Sequence, residues 1–137
     1  MRRKVIICII TFILLIAGVL KVFSAKVGNT GNEMLRDSIY SVMDEYGIHH
    51  KEIVYAQAIL ETGHFKANIF TKKNNLFGLQ SKKGYYSFKH WSESVKMYKE
   101  KIQSRYKNDE DYYHFLKRIH YATNLNYTKL LKKLVRK

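Results

Sequence analysis

The sequence predicts an α+β domain that is mainly helical, about five helices and one small β-hairpin, preceded by an apolar N-terminal helix. Three observations lead there. Apolar residues recur at helical spacing through most of residues 32–137. Near residues 76–90 the pattern changes to two short aromatic runs around a glycine turn. Residues 5–20 are apolar almost throughout. The chain of 137 residues is long enough for one domain with a real core. We divide it into a leader or anchor (1–23), a short linker rich in small and polar residues (24–31) and the domain proper (32–137).

In the leader, Arg2, Arg3 and Lys4 precede an apolar run from Val5 to Leu20 that only Thr11 clearly interrupts. A basic start followed by an apolar run is an export signal. Its length fits a cleaved signal and a retained anchor equally, with the basic residues kept inside. Either way the domain is expected outside the cytoplasm, in the periplasm or at the cell surface, and attached to the inner membrane if uncleaved.

The first domain helix is expected over 32–46, where Leu35, Ile39, Val42 and Tyr46 share a face, and Gly47 supplies a left-handed stop. A second runs from about His50 to Thr62, places Ile53, Ala56, Gln57 and Leu60 on one side, and ends at Gly63. The aromatic runs around Ser81-Lys82-Lys83-Gly84 make the hairpin. A third helix starts near Ser92, its expected N-cap, and buries Val95, Tyr98, Ile102 and Tyr106. Asn108-Asp109-Glu110-Asp111 opens a fourth with acid in its first turn, burying Tyr112, Phe115, Leu116 and Ile119. A fifth begins near Asn126, with Tyr127, Leu130, Leu131 and Leu134 inside and a basic end that suits the helix dipole.

The net charge is +14. Setting aside Arg2, Arg3, Lys4 and Lys21 leaves 21 basic against 11 acidic residues, or +10, a body drawn to polyanions. Lys72-Lys73 and Lys82-Lys83 flank the candidate site, which suits an anionic substrate. Cys8 is the single cysteine and lies in the leader, so the domain has neither disulfide nor thiolate ligands. The six histidines show no zinc spacing, and there is no glycine-rich phosphate loop. We expect no metal, no cofactor and no nucleic-acid partner.

The chemistry concentrates around Glu61. On a helical wheel it falls at the edge of the buried face, one turn after Gln57. Partial burial and the negative end of the helix dipole both raise a carboxyl pKa. A carboxyl that keeps its proton at neutral pH is a general acid for a leaving sugar oxygen. Gln57, Asn74 and Asn75 have amides that can bind an acetamido or hydroxyl group, although Asn also serves turns. Phe77, Tyr85 and Tyr86 can form a platform for a sugar face or the apolar heart of the hairpin. Trp91 is read as packing beside the third helix start, and Glu93 as dipole stabilisation there.

Four ordered motifs resemble the bacterial glucosaminidases of glycoside hydrolase family 73. They are Tyr55-Ala56-Gln57-Ala58-Ile59-Leu60-Glu61-Thr62-Gly63, Asn74-Asn75-Leu76-Phe77-Gly78-Leu79, Phe88-Lys89-His90-Trp91-Ser92-Glu93-Ser94 and Tyr121-Ala122-Thr123-Asn124. The resemblance spans roughly residues 35–134. It implies a lysozyme-like fold and hydrolysis of the β-1,4 bond after N-acetylglucosamine in peptidoglycan strands. It places the catalytic acid at Glu61 and the active-site tyrosine at Tyr121. Two departures stand out. The fourth motif continues as Asn124-Leu125 where the family usually has Asp-Pro. Some members carry a second acid on the hairpin, yet no Asp or Glu lies between Glu61 and Glu93. The expectation is therefore substrate-assisted hydrolysis, with the sugar's own acetamide attacking the anomeric carbon. The alternatives are a lysozyme-like module that binds glycan without cutting it, and a basic membrane-tethered protein that binds polyanions.

Overall fold

The computed structural model describes residues 30–136. The export segment read from residues 1–23 and most of the linker lie outside the described residues. The chain divides into two compact units, Met1–Ser38 and Ile39–Lys137. Of the first unit, residues 30–38 are described and are helical. Among the described residues no helix is long and apolar enough to cross a membrane.

The second unit opens with helical residues 39–45 (α1), whose Ile39 and Met43 are fully buried. It continues with α2 (Lys51–Glu61), the single-turn α3 (Asn68–Thr71), β1 (Gln80–Ser81), β2 (Gly84–Tyr85), α4 (Trp91–Lys101), a 3₁₀ turn (Gln103–Arg105), α5 (Tyr112–Arg118) and α6 (Tyr127–Val135). The architecture is thus mainly helical with one two-stranded antiparallel sheet, in register Gln80↔Tyr85 and Ser81↔Gly84. Lys82 and Lys83 form its two-residue loop.

The helix ends follow from backbone chemistry. At α1, Ile48 N–H bonds Met43 O (2.8 Å) and Gly47 N–H bonds Asp44 O (3.0 Å), with Gly47 at φ 59°. This is a Schellman stop, and the residues joined by its longer bond, Met43 and Ile48, are both apolar and buried. The same pattern ends α2, where His64 N–H reaches Ile59 O at 2.9 Å and Gly63 has φ 54°. Three expectations are corrected. The cap of α4 is His90, whose Nδ1 accepts from Ser92 N–H at 3.3 Å, so the helix starts one residue before Ser92. The short α3 was not anticipated, because four residues carry no periodicity. The buried face of α2 is set by Val54, Gln57 and Ala58 rather than by Ile53 and Leu60, which stay half-exposed.

The core gathers α2 against α6, with Val95 and Tyr98 of α4 and Tyr112, Phe115 and Leu116 of α5 buried. Asn75 pins the connection to the hairpin. It is fully buried; its amide donates to Leu79 O (2.8 Å) and Tyr86 O (3.0 Å), and its oxygen accepts from Leu79 N–H (3.0 Å) and Phe77 N–H (3.4 Å). One side chain thereby fixes both ends of the loop that faces Glu61.

Candidate active site

Glu61 lies seven residues after Val54, four after Gln57 and three after Ala58, so it extends the most buried line of α2. Its carboxyl is half-buried at the C-terminal end of that helix and opens on a cleft of about 710 Å³. The cleft walls come from the loop 77–80, from Tyr85 and Tyr86 of the hairpin, from the end of α4, from residues 119–124 and from Tyr127 of α6. Among the described lining residues Glu61 is the only carboxylate.

Both carboxyl oxygens are placed. Tyr127 donates its hydroxyl hydrogen to Glu61 Oε1 at 2.8 Å. Oε2 faces Gly78, where a Cβ built on the backbone would stand only 3.1 Å away. Gly78 also has φ 61°, so glycine is needed there for conformation and for clearance alike. Burial raises the Glu61 pKa above its ordinary 4.5, and the Tyr127 hydrogen bond opposes part of that rise. Neither His64 nor Lys66 contributes; both side chains are exposed.

Tyr121 lies in the same wall, its ring 5.7 Å from that of Tyr127 between centroids. Its hydroxyl donates to Phe77 O at 2.8 Å. The hydrogen is therefore committed, while the oxygen keeps lone-pair capacity. Burial holds this phenol well above its usual pKa, so it is neutral. The chain reverses just before it. Tyr121 N–H bonds Leu116 O (3.0 Å) and His120 N–H bonds Lys117 O (3.0 Å), a third Schellman stop with His120 at φ 52°.

The departure at Asn124-Leu125 has a physical reading. Asn124 Oδ1 accepts from Asn126 N–H at 2.9 Å, an acceptor that Asp would also supply. Leu125 is 95% exposed and fills no part of the core.

The other expected site residues divide. Phe77, Tyr85 and Tyr86 line the cleft. Phe77 is nonetheless buried, with its ring 4.4 Å from Tyr98, whereas Tyr85 is 54% exposed and free to offer a face. Gln57, Asn74 and Asn75 do not line the cleft. Gln57 is fully buried between Tyr98 and Tyr127. Asn74 sits at φ 52° and donates to Phe88 O and Lys89 O, both at 3.1 Å. Asn75 is spent on its loop. Gln57 and Asn75 are buried and hydrogen-bonded within the protein, and the Asn74 amide nitrogen is taken by two backbone carbonyls. The paired lysines at 72–73 and 82–83 are likewise absent from the lining, and its lysine and arginine are Lys101 and Arg105. Trp91 lies outside it. Tyr127, which lines the cleft and hydrogen-bonds Glu61, is the residue the sequence did not single out. Helical spacing marks it as an inward position and nothing more.

Among the described residues no cluster of His, Cys, Asp or Glu can hold a metal ion. The glucosaminidase family model, described as mannosyl-glycoprotein endo-beta-N-acetylglucosaminidase, matches residues 36–137, well over half of the chain. No curated protein and no solved structure matches it. The matched span contains every wall of the Glu61 cleft, and the chain belongs to the glucosaminidases of glycoside hydrolase family 73, a glycosidase family whose members act on glycans.

Proposed function

We propose that this chain hydrolyses the β-1,4 bond after N-acetylglucosamine in peptidoglycan strands, with Glu61 as general acid and the substrate's acetamide as nucleophile. One observation carries the reading. A half-buried carboxyl whose pKa burial raises, with no ion-pair partner among the described residues, is the only described acid in a cleft of about 710 Å³. A mechanism with two enzymic carboxylates needs a partner about 5–10 Å from the first, and the described lining offers none. The helical shell with its hairpin fits the lysozyme-like fold that the family resemblance implies.

The acetamide carbonyl oxygen attacks C1 as the C1–O bond to the next sugar breaks, and Glu61 gives its proton to the departing oxygen. The Glu61 carboxylate then takes a proton from water, which attacks C1 from the side the leaving group vacated. The acetamide is released, Glu61 is neutral again, and C1 keeps its original configuration. Tyr121 presents an oxygen whose own hydrogen is held by Phe77 O. It can accept the acetamide N–H and so align the amide for attack. Tyr85, at the cleft mouth, offers its ring to a sugar face.

The basic start and apolar run in the sequence of residues 1–23, read as a signal or anchor, support action outside the cytoplasm, and fractionation of cells expressing the full chain tests this part. The test of the reaction is mass spectrometry of fragments released from purified peptidoglycan, with NMR of the fresh reducing end. N-acetylglucosamine at that end, first seen as the β anomer, is the expected result. N-acetylmuramic acid at the end would overturn the bond assignment, and inversion would overturn the acetamide mechanism. A protein that binds the wall and releases no fragments would be a binding module.

A further inference from the structure

A row of buried polar side chains runs inward from Tyr127 in the cleft wall, and the reaction scheme above does not use it. Its far end is the backbone of His49, whose N–H bonds Gln103 Oε1 (3.0 Å) and whose carbonyl accepts from Gln103 Nε2 (2.8 Å). A backbone N–H can only donate and a carbonyl can only accept, so the Gln103 amide has one possible orientation. Its Nε2 also donates to the Tyr112 hydroxyl at 2.8 Å. Tyr112 has one hydrogen left to give, to Tyr98 at 2.9 Å. Tyr98 in turn gives its own to Gln57 Oε1 at 2.7 Å. That turns the Gln57 amide nitrogen toward the Tyr127 hydroxyl, at 3.5 Å. Tyr127 then has a single hydrogen, and it goes to Glu61 Oε1. Burial pushes Tyr112 up to about 12 and lifts Tyr98 and Tyr127 higher than an ordinary phenol, so all three keep the hydrogens this order requires.

We propose that this row is a one-way hydrogen-bond chain that makes Glu61 Oε1 a permanent acceptor and confines the transferable proton to Oε2, the oxygen beside Gly78. Gln57 is the positioning residue that sets the direction of the last two bonds, and Tyr127 delivers it. The inference rests on Glu61 being the acid. It adds which oxygen of that acid is armed and what keeps the other from competing. The titratable groups around Glu61 are Tyr127 of α6, Tyr121 on the loop before α6, Tyr85 of β2 and Tyr86 just after it, while Lys101, Arg105 and His120 line the same cleft. None of the cations forms an ion pair with Glu61.

The test uses the full chain with glutamate carboxyl carbons labelled, titrated by NMR, and with Glu61→Gln to assign the Glu61 signal. In Tyr127→Phe the Glu61 midpoint is expected to move up, because its carboxylate loses a donor. The basic limb of kcat should follow it. Below the midpoint kcat should still fall about twofold or more at unchanged KM, since the proton is then shared between two oxygens. Gln57→Met should move the midpoint the same way by less. A midpoint that stays put or falls in Tyr127→Phe would mean that Glu61 donates to Tyr127, and the chain would be overturned. A shift in Tyr127→Phe with none in Gln57→Met would remove the directing role of Gln57. Should Gln57→Met not fold, Tyr127→Phe, which deletes one oxygen atom, still decides. The titration needs no turnover, so an active Glu61→Gln would sink the acid assignment while leaving the chain standing.

Discussion

Glu61 shows how one carboxyl is prepared by its surroundings. Burial favours its neutral form. Between the ordinary glutamate pKa near 4.5 and the higher folded value, the folded state therefore binds more protons than the unfolded chain. Stability contributed by Glu61 is thus full at low pH and is lost as pH rises through that window. Glu61→Gln should melt higher than wild type at neutral pH, with the gap closing below about pH 4.5, as read by calorimetry. Activity that needs the protonated acid should fall over the same rise in pH. Gly78→Ala should be damaging twice over. Its Cβ would stand 3.1 Å from Oε2, and a left-handed φ costs a non-glycine residue about 1–2 kcal/mol. Both the melting temperature and the turnover rate should drop. Tyr121→Phe removes the bond to Phe77 O, worth about 0.5–1.5 kcal/mol of stability. Turnover should fall far more than this loss of stability explains, measured on soluble glycan fragments at a temperature where both proteins are folded.

At the scale of elements, three helices stop by the same Schellman pattern, at residues 47, 63 and 120. Two of these stops were legible because they carry glycine. The third was not, because histidine occupies the left-handed position, yet it is the one that turns the chain into Tyr121. His120→Gly should stabilise the fold by about 1 kcal/mol, which a denaturant midpoint would report. Other features followed the same divide. Periodicity revealed α2, α4, α5, α6 and the glycine-turned hairpin, since each depends on spacing within a few residues. The cap at His90 was missed because an imidazole nitrogen stands in for the usual hydroxyl or carboxylate. Asn74 and Asn75 looked like ligand amides because sequence shows the donor and not its partner. The partners of Gln57, Tyr98 and Tyr127, lie 41 and 70 residues away, beyond the reach of local spacing. Glu61 was legible as a candidate through its motif, and its hydrogen-bond donor Tyr127, 66 residues from it, was not.

For the whole molecule, charge bears on which polymers attract it. The net charge of +14 and the presence of Lys101 and Arg105 on the cleft wall favour an anionic polymer. Screening shortens such attraction to about 8 Å at physiological salt. Binding to isolated cell wall should weaken as salt rises, and replacing both Lys101 and Arg105 with alanine should flatten that dependence in a sedimentation assay. Acid should act elsewhere. Paired hydrogen bonds from Arg118 hold the Glu110 carboxyl at about 2. The stability from that pair is present above the ordinary glutamate value and is lost as pH falls toward about 2.

The most direct measurement compares wild type with Glu61→Gln in clearing a suspension of purified cell wall, both proteins confirmed folded. Wild type should clear it and release fragments, and Glu61→Gln should be slower by about 100-fold or more, the usual contribution of a general acid. Equal clearing by the two proteins would contradict the account.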